Sequence, residues 1–207
     1  MEKIKFKRVL TEQQGHELAK KHIGEEYIKT LITNDADGYD MYGNLLFKFR
    51  KNVIPIDILK AGVDNFKDSI EWTESRGAAS GFSGKRTRAD GSISNTSVGA
   101  KVESGVVGFM DKSAMIRYCR KTAFTKKYFD NYQEGLPFVK FVDEQYKKLC
   151  PEYYNRQKNI AEGTNQNYVI PDTSFTTVTV NKNFRTAVHK DAGDFSEGFG
   201  NLVVYRE

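Results

Sequence analysis

His189 and Asp191 stand two residues apart in the stretch FRTAVHKDAGD, residues 184–194. On an extended chain, side chains two apart point to the same side, so an imidazole and a carboxylate would be presented together. That pair suits two neighbouring positions around one metal ion. It forms the first part of a facial two-His-one-carboxylate set on Fe(II), which leaves three octahedral positions open for a co-substrate and O₂. The chain has 3 histidines. The other two, His16 and His22, fall on a predicted N-terminal helix about 600° of turn apart, so they do not share a face and read as surface residues. Cys119 and Cys150 are the 2 cysteines, too few for a disulfide framework or a four-cysteine zinc site. The acidic, Gly-containing segment from Asp35 also fails as an EF-hand loop. Asp40 and Leu46 occupy the places where such a loop needs glycine and glutamate.

A second chemistry-bearing stretch is KRTRADGSISNTSVGAK, residues 85–101, which sets Lys85, Arg86, Arg88 and Lys101 among Gly, Ser and Asn. Several cations on a flexible backbone suit a loop that tracks phosphates. The alternative is an ordinary solvated surface loop. A net charge of +5 is compatible with a polyanionic partner without identifying one. No apolar run approaches the roughly 18 residues a membrane span requires. The charged N-terminus lacks a secretory signal, so a reduced, intracellular setting is expected.

The elements that would position these groups follow from pattern. Thr11 and Gln14 read as a capping box opening a helix that runs to about Ile23. A hairpin turns at Gly43-Asn44 into the strand LLFKF, and residues 56–71 read as a helix. The Gly/Ser-rich stretch 75–105 reads as a long loop. VVGFM (106–110) and MIRYCRKTAFT (115–125) read as strands. Residues 126–150 place Phe138, Phe141, Val142, Tyr146 and Leu149 at helical spacing, a core stripe. Pro151 marks a break, with EYYNRQ starting another helical turn. Strands are then expected over 175–180, 184–189 and 201–205. Helices with an antiparallel section last predict α+β, its sheet started near residue 106 and resumed at 175.

The segments YKKLCPEYYNRQ (146–157) and FTTVTVNKNFRTAVHKDAGDFSEGFGNLVV (175–204) resemble the TET/JBP family of Fe(II)- and 2-oxoglutarate-dependent nucleobase dioxygenases, its phage members above all. SRGAASG (75–81), ISNTSVG (93–99) and CRKTAFT (119–125) share the resemblance, which covers most of residues 75–207 and little of 1–70. It implies an N-terminal α+β region over 1–74 and the N-terminal portion of a dioxygenase domain over 75–207. The fold would be α+β, with N-terminal helices and loops leading into an incomplete double-stranded β-helix, or jelly roll. The implied activity is hydroxylation of the 5-methyl group of thymine, or of 5-methylcytosine, in DNA. O₂ is the oxidant and 2-oxoglutarate is decarboxylated. By the same resemblance His189 and Asp191 are the iron ligands. Arg120, or Arg117 in its place, meets the carboxylates of 2-oxoglutarate. Asp194 touches the target base, where a carboxylate would accept the thymine N3–H. A base inside a duplex must leave the stack to react, and Lys85, Arg86 and Arg88 would hold the backbone of that DNA. The expected location is the cytoplasm of a phage host.

The chain also departs from the family pattern, which needs a distal histidine and an arginine on later strands. Only 18 residues follow His189, none of them histidine, and Arg206 sits at the very end. Recruiting His16 or His22 would require the N-terminal helix to enter the barrel. The resemblance therefore predicts a jelly roll completed by a separate C-terminal segment, with a non-catalytic DNA-binding remnant as the alternative. Bare apolar edges near 175–180 and 200–205 would accompany an incomplete barrel.

Overall fold

The computed structural model describes residues 1–27, 30–73, 84–87, 90–98, 101–113, 115–183, 185–189 and 194–206. The chain forms two compact units, one of Met1–Val53, Thr73–Val102 and Phe184–Lys190, the other of Ile54–Trp72, Glu103–Asn183 and Asp191–Glu207.

In the first unit, β1 (Glu2–Phe6) pairs in parallel with β2 (Ala36–Asp40), which turns back antiparallel into β3 (Leu45–Phe49). The turn forms where expected because Asp40 organises it. Its carboxylate accepts from the backbone N–H groups of Tyr42 and Asn44, both at 2.8 Å, and from the Asn44 side chain at 2.7 Å. Helix α1 (Glu12–Glu17) opens on the predicted reciprocal cap between Thr11 and Gln14. It stops six residues short of Ile23, and Lys20 adopts a left-handed φ of 64°. The supposed 75–105 loop contains an antiparallel hairpin, β5 (Gly84–Thr87) with β6 (Ile93–Val98). Its turn is written in Asp90-Gly91. Gly91 takes φ +81°, and Asp90 accepts from both the backbone N–H and the hydroxyl of Ser92, at 2.9 and 2.6 Å. A left-handed glycine after an acid is a hairpin signal that the surrounding Ser and Asn obscured.

The second unit holds the main apolar core. Helix α2 (Ile56–Phe66) continues through a 3₁₀ turn, Lys67–Ser69, into the short β4 (Glu71–Thr73). The central strand is β7 (Val102–Met110), flanked by β4 and β8 (Arg120–Lys121). It also pairs antiparallel with β9 (Thr177–Asn181) from Ser104↔Asn181 to Gly108↔Thr177. The sheet's two long strands lie near the expected 106 and 175, but the sheet begins earlier, with β4. Residues 115–125 differ from the expected strand, because only β8 is extended. Thr122 then caps α3 (Ala123–Lys127), accepting from the Thr125 N–H at 3.2 Å. Its hydroxyl also donates to Thr125 Oγ1 at 3.0 Å. Thr125 Oγ1 in turn accepts the Gly108 N–H at 2.8 Å, so β-branched residues that resemble a strand serve as a cap and a clamp.

Gly108 has φ +96°, and a Cβ there would meet the Thr176 carbonyl at 2.6 Å. Only glycine takes this backbone conformation without strain, and it lets the Thr125 hydroxyl and the Thr176 carbonyl both approach β7 at Gly108–Phe109.

The predicted helix over 126–150 is divided into the end of α3, then α4 (Phe129–Glu134) and α5 (Leu136–Leu149). The buried face of α5 is Leu136, Val139, Asp143 and Tyr146. The apolar stripe is thus turned from the predicted one, and a carboxylate lies inside it. Helix α6 (Pro151–Gly163) runs a full 13 residues, with Pro151 in its first turn where no N–H is needed. Phe66, Val107, Phe109, Phe124, Tyr132, Leu136, Val139 and Ile170 form the core.

Residues 185–189 and 201–205 do not form the expected strands. Phe184 lies outside the described residues. A strand needs a ladder partner, and among the described residues 201–205 have none; Leu202 and Val204 stand 87% and 68% exposed.

Candidate functional site

The His189 segment is held against the chain that follows α1. Lys20 N–H donates to the Val188 carbonyl at 2.7 Å, and Val188 N–H donates to the Lys21 carbonyl at 3.0 Å. The Arg185 guanidinium donates to the Ile23 carbonyl. Residues 185–189 therefore run antiparallel to residues 20–23. This arrangement replaces the predicted strand, and sequence periodicity carried no sign of it. The course sets His22 opposite Thr186–Ala187 rather than opposite His189. His16 lies 3.8 Å from Glu12 on exposed α1.

The Nδ1 atom of His189 sits 2.7 Å from the Ala187 carbonyl oxygen. A carbonyl oxygen only accepts, so Nδ1 carries a proton in this contact. A backbone contact at Nδ1 commonly fixes a metal-binding histidine in this tautomer. The local geometry at His189 fits an iron ligand through Nε2. Asp191 and Arg88 lie outside the described residues, as does the SRGAASG stretch. Asp194 is exposed at a bend, and Lys85 and Arg86 lie in β5. Among the described residues, no group of three His, Cys, Asp or Glu is placed to hold a metal ion.

Arg120 is half-buried at the end of the β7–β8 hairpin, where Met110 pairs with it. Its Nη1 donates to the Asp111 carbonyl at 3.2 Å, and its Nη2 lies 3.8 Å from Met110 Sδ. The guanidinium clamps its own hairpin while keeping further donors.

The corner leading into β9 is anchored by residues that sequence pattern did not single out. Asp143, 4% exposed, accepts from the Tyr154 hydroxyl at 3.0 Å and from both the N–H and the hydroxyl of Ser174 at 2.7 Å. Burial, and then the adjoining Asp143 carboxylate, push the Tyr154 phenol up to about 12. Lys158 donates to the Thr173 carbonyl at 3.1 Å, and Tyr146 accepts the Phe199 N–H at 3.0 Å. Together α5 and α6 hold both the start of β9 and the returning chain at Phe199. An acid inside an apolar stripe, eleven residues from a tyrosine, was the available signal for this network.

Residues 105–207 match the oxygenase domain of the 2OGFeDO superfamily, the Tet_JBP family model. That defines the class: this part of the chain is an oxygenase domain of the 2-oxoglutarate, iron-dependent type. The bifunctional helicase and thymine dioxygenase JBP2 of Leishmania tarentolae is 36% identical over 111 residues, covering 53% of this chain and 10% of that protein. Thymine dioxygenase JBP1 of Trypanosoma brucei brucei is 26% identical over 196 residues, covering 93% of this chain and 22% of that protein. The chain belongs, through residues 105–207, to the TET/JBP family. The JBP1 likeness also takes in the N-terminal region, where the sequence alone had suggested little. The chain spans about a tenth of JBP2 and about a fifth of JBP1. No solved structure matches it.

Proposed function

We propose that this chain carries part or all of an Fe(II)- and 2-oxoglutarate-dependent oxygenase that hydroxylates the 5-methyl group of thymine in DNA. The observation that carries the reading is the family match over residues 105–207, which contains both His189 and Asp191. Two relatives described as thymine dioxygenases support thymine as the substrate. Iron, when bound, supplies O₂ activation, and 2-oxoglutarate supplies the electrons that a methyl group alone does not.

The chain's own residues hold and orient. His189 keeps its proton on Nδ1 against the Ala187 carbonyl and offers Nε2 to the metal; Asp191 adds a carboxylate. Arg120 retains donors beyond its Asp111 contact for a carboxylate of 2-oxoglutarate. Asp194 accepts the N3–H of thymine, a contact cytosine cannot supply because its N3 is itself an acceptor. Lys85, Arg86 and Arg88 hold the DNA backbone.

Anaerobic Fe(II) titration with 2-oxoglutarate tests the donor set. The expected result is a charge-transfer absorption band that His189→Ala and Asp191→Ala each abolish. The nucleosides of DNA incubated with the protein, Fe(II), 2-oxoglutarate and O₂ should contain hydroxymethyluracil by mass spectrometry. No band and no hydroxylated thymine, with this chain and with a longer form carrying its downstream segment, would overturn the reading.

A further inference from the structure

The β7–β8 hairpin and the helix after it carry charge and apolar surface that neither the core nor the proposed iron site uses. The tip is held in shape by its own hydrogen bonds. Ser113 N–H donates to the Ile116 carbonyl at 2.6 Å, Ile116 N–H donates to Ser113 Oγ at 3.1 Å, and Arg120 clamps the Asp111 carbonyl. On this tip Met115 is 94% exposed and Tyr118 67% exposed. Large apolar groups held outward on a braced turn gain nothing for folding, which points to a partner.

The surroundings are cationic. Lys112 and Arg117 are exposed on the hairpin, and Lys121, Lys126 and Lys127 are exposed on β8 and α3. Among the described residues, none of the five lies within ion-pair distance of a carboxylate. Asp111, the acid nearest in sequence to Lys112 and Arg117, is turned onto the loop, accepting from the Lys112 N–H at 2.6 Å and from Cys119 Sγ at 3.3 Å. The Lys121 ammonium lies 4.3 Å from the centre of the Phe129 ring, and that of Lys127 lies 4.8 Å from the Tyr128 ring. Those rings splint the lysines without neutralising them. Cations interleaved with exposed aromatic and apolar side chains are the footprint of a nucleic-acid face. Methionine in particular recurs among side chains that wedge between base steps.

We propose that this hairpin–helix face binds duplex DNA, the five cations on phosphates and Met115 and Tyr118 against the bases. The inference rests on the reading that DNA is the substrate, and it adds a second cationic face to the Lys85, Arg86 and Arg88 stretch favoured by sequence.

The test is fluorescence anisotropy of the full chain with a labelled thymine-containing duplex over a salt series. Each lost phosphate contact removes roughly 0.9 from the slope of log K against log salt. The variant Lys112→Ala/Arg117→Ala/Lys126→Ala should therefore flatten the slope by about 2 to 3 and weaken binding about tenfold or more at moderate salt. A charge-matched control, Lys60→Ala/Lys147→Ala/Lys148→Ala, should keep most of the wild-type slope. Met115→Ala/Tyr118→Ala should weaken binding about fivefold or more with the slope unchanged, the mark of a base contact. If wild type binds DNA and the first variant matches it or the control, this face is overturned while the DNA reading stands. The same follows if only binding to anionic lipid vesicles falls. If wild type does not bind DNA at all, the face and the DNA reading fall together, whereas the iron titration judges the metal site separately.

Discussion

Replacing Asp143 with alanine should expose how much the buried carboxylate contributes to the second unit. The carboxylate accepts three hydrogen bonds, from the Tyr154 hydroxyl and from the N–H and hydroxyl of Ser174. In Asp143→Ala the two hydroxyls can rotate towards other acceptors, but the Ser174 N–H is fixed by the backbone and stays unpaired. A buried donor left unsatisfied costs about 1–3 kcal/mol. Losing the contacts of the two hydroxyls adds about 1 kcal/mol each, and removing a desolvated charge gives some of that back. The net loss should be about 3 kcal/mol, which for a chain of this length lowers Tm by roughly 6–12 °C. Differential scanning calorimetry measures it. Asp143→Asn, which keeps one acceptor oxygen, should lose less, on the order of 1 kcal/mol. A double-mutant cycle with Tyr154→Phe should give a coupling of about 1 kcal/mol between the two side chains. An Asp143→Ala protein within about 0.5 kcal/mol of wild type would refute the view that this network anchors the corner.

Tyr154 predicts a pH signature of the same network. Its folded pKa is raised to about 12 from about 10 in the unfolded chain. Its contribution is therefore complete below pH 10 and is lost as pH rises towards 12. Urea unfolding across that window should show a decline of about 2–3 kcal/mol at most that is smaller in Tyr154→Phe. Gly108→Ala forces a Cβ into the Thr176 carbonyl at a left-handed φ, and should destabilise by about 1–3 kcal/mol. In that variant, hydrogen exchange should quicken at the Phe109 N–H that bonds to Thr176.

Local chemistry was the part of the fold legible in the sequence. The Thr11–Gln14 cap and the Asp40 turn each depend on residues close in the chain, and β7 and β9 announce themselves by β-branched composition although their pairing is distant. What was missed depends on partners far away. Residues 185–189 have a strand-like composition, yet they find the segment after α1 instead of a ladder. Thr122 and Thr125 belong to a β-branched run, but their hydrogen bonds to Gly108 set them as a cap and an acceptor. Asp143 reads as a break in an apolar stripe until Ser174, thirty-one residues on, supplies its donors. The candidate site divides the same way. His189 and the chemistry of H-x-D are visible in eleven residues, whereas the acid-glycine turn at Asp90-Gly91 was hidden in a stretch that reads as loop. The contact that sets the imidazole tautomer comes from a main-chain atom, whose identity no residue type reveals.

That main-chain origin has an evolutionary consequence. The acceptor for His189 Nδ1 is the carbonyl of Ala187, so no side-chain substitution at position 187 deletes it. Ala187 is buried, and the limit on that position is volume rather than polarity. Drift through small residues there would leave the Nδ1 contact intact. A change of backbone course, such as release of Val188 from Lys20 and Lys21, would remove the acceptor from Nδ1. ¹⁵N chemical shifts of the imidazole would report the loss of that contact directly.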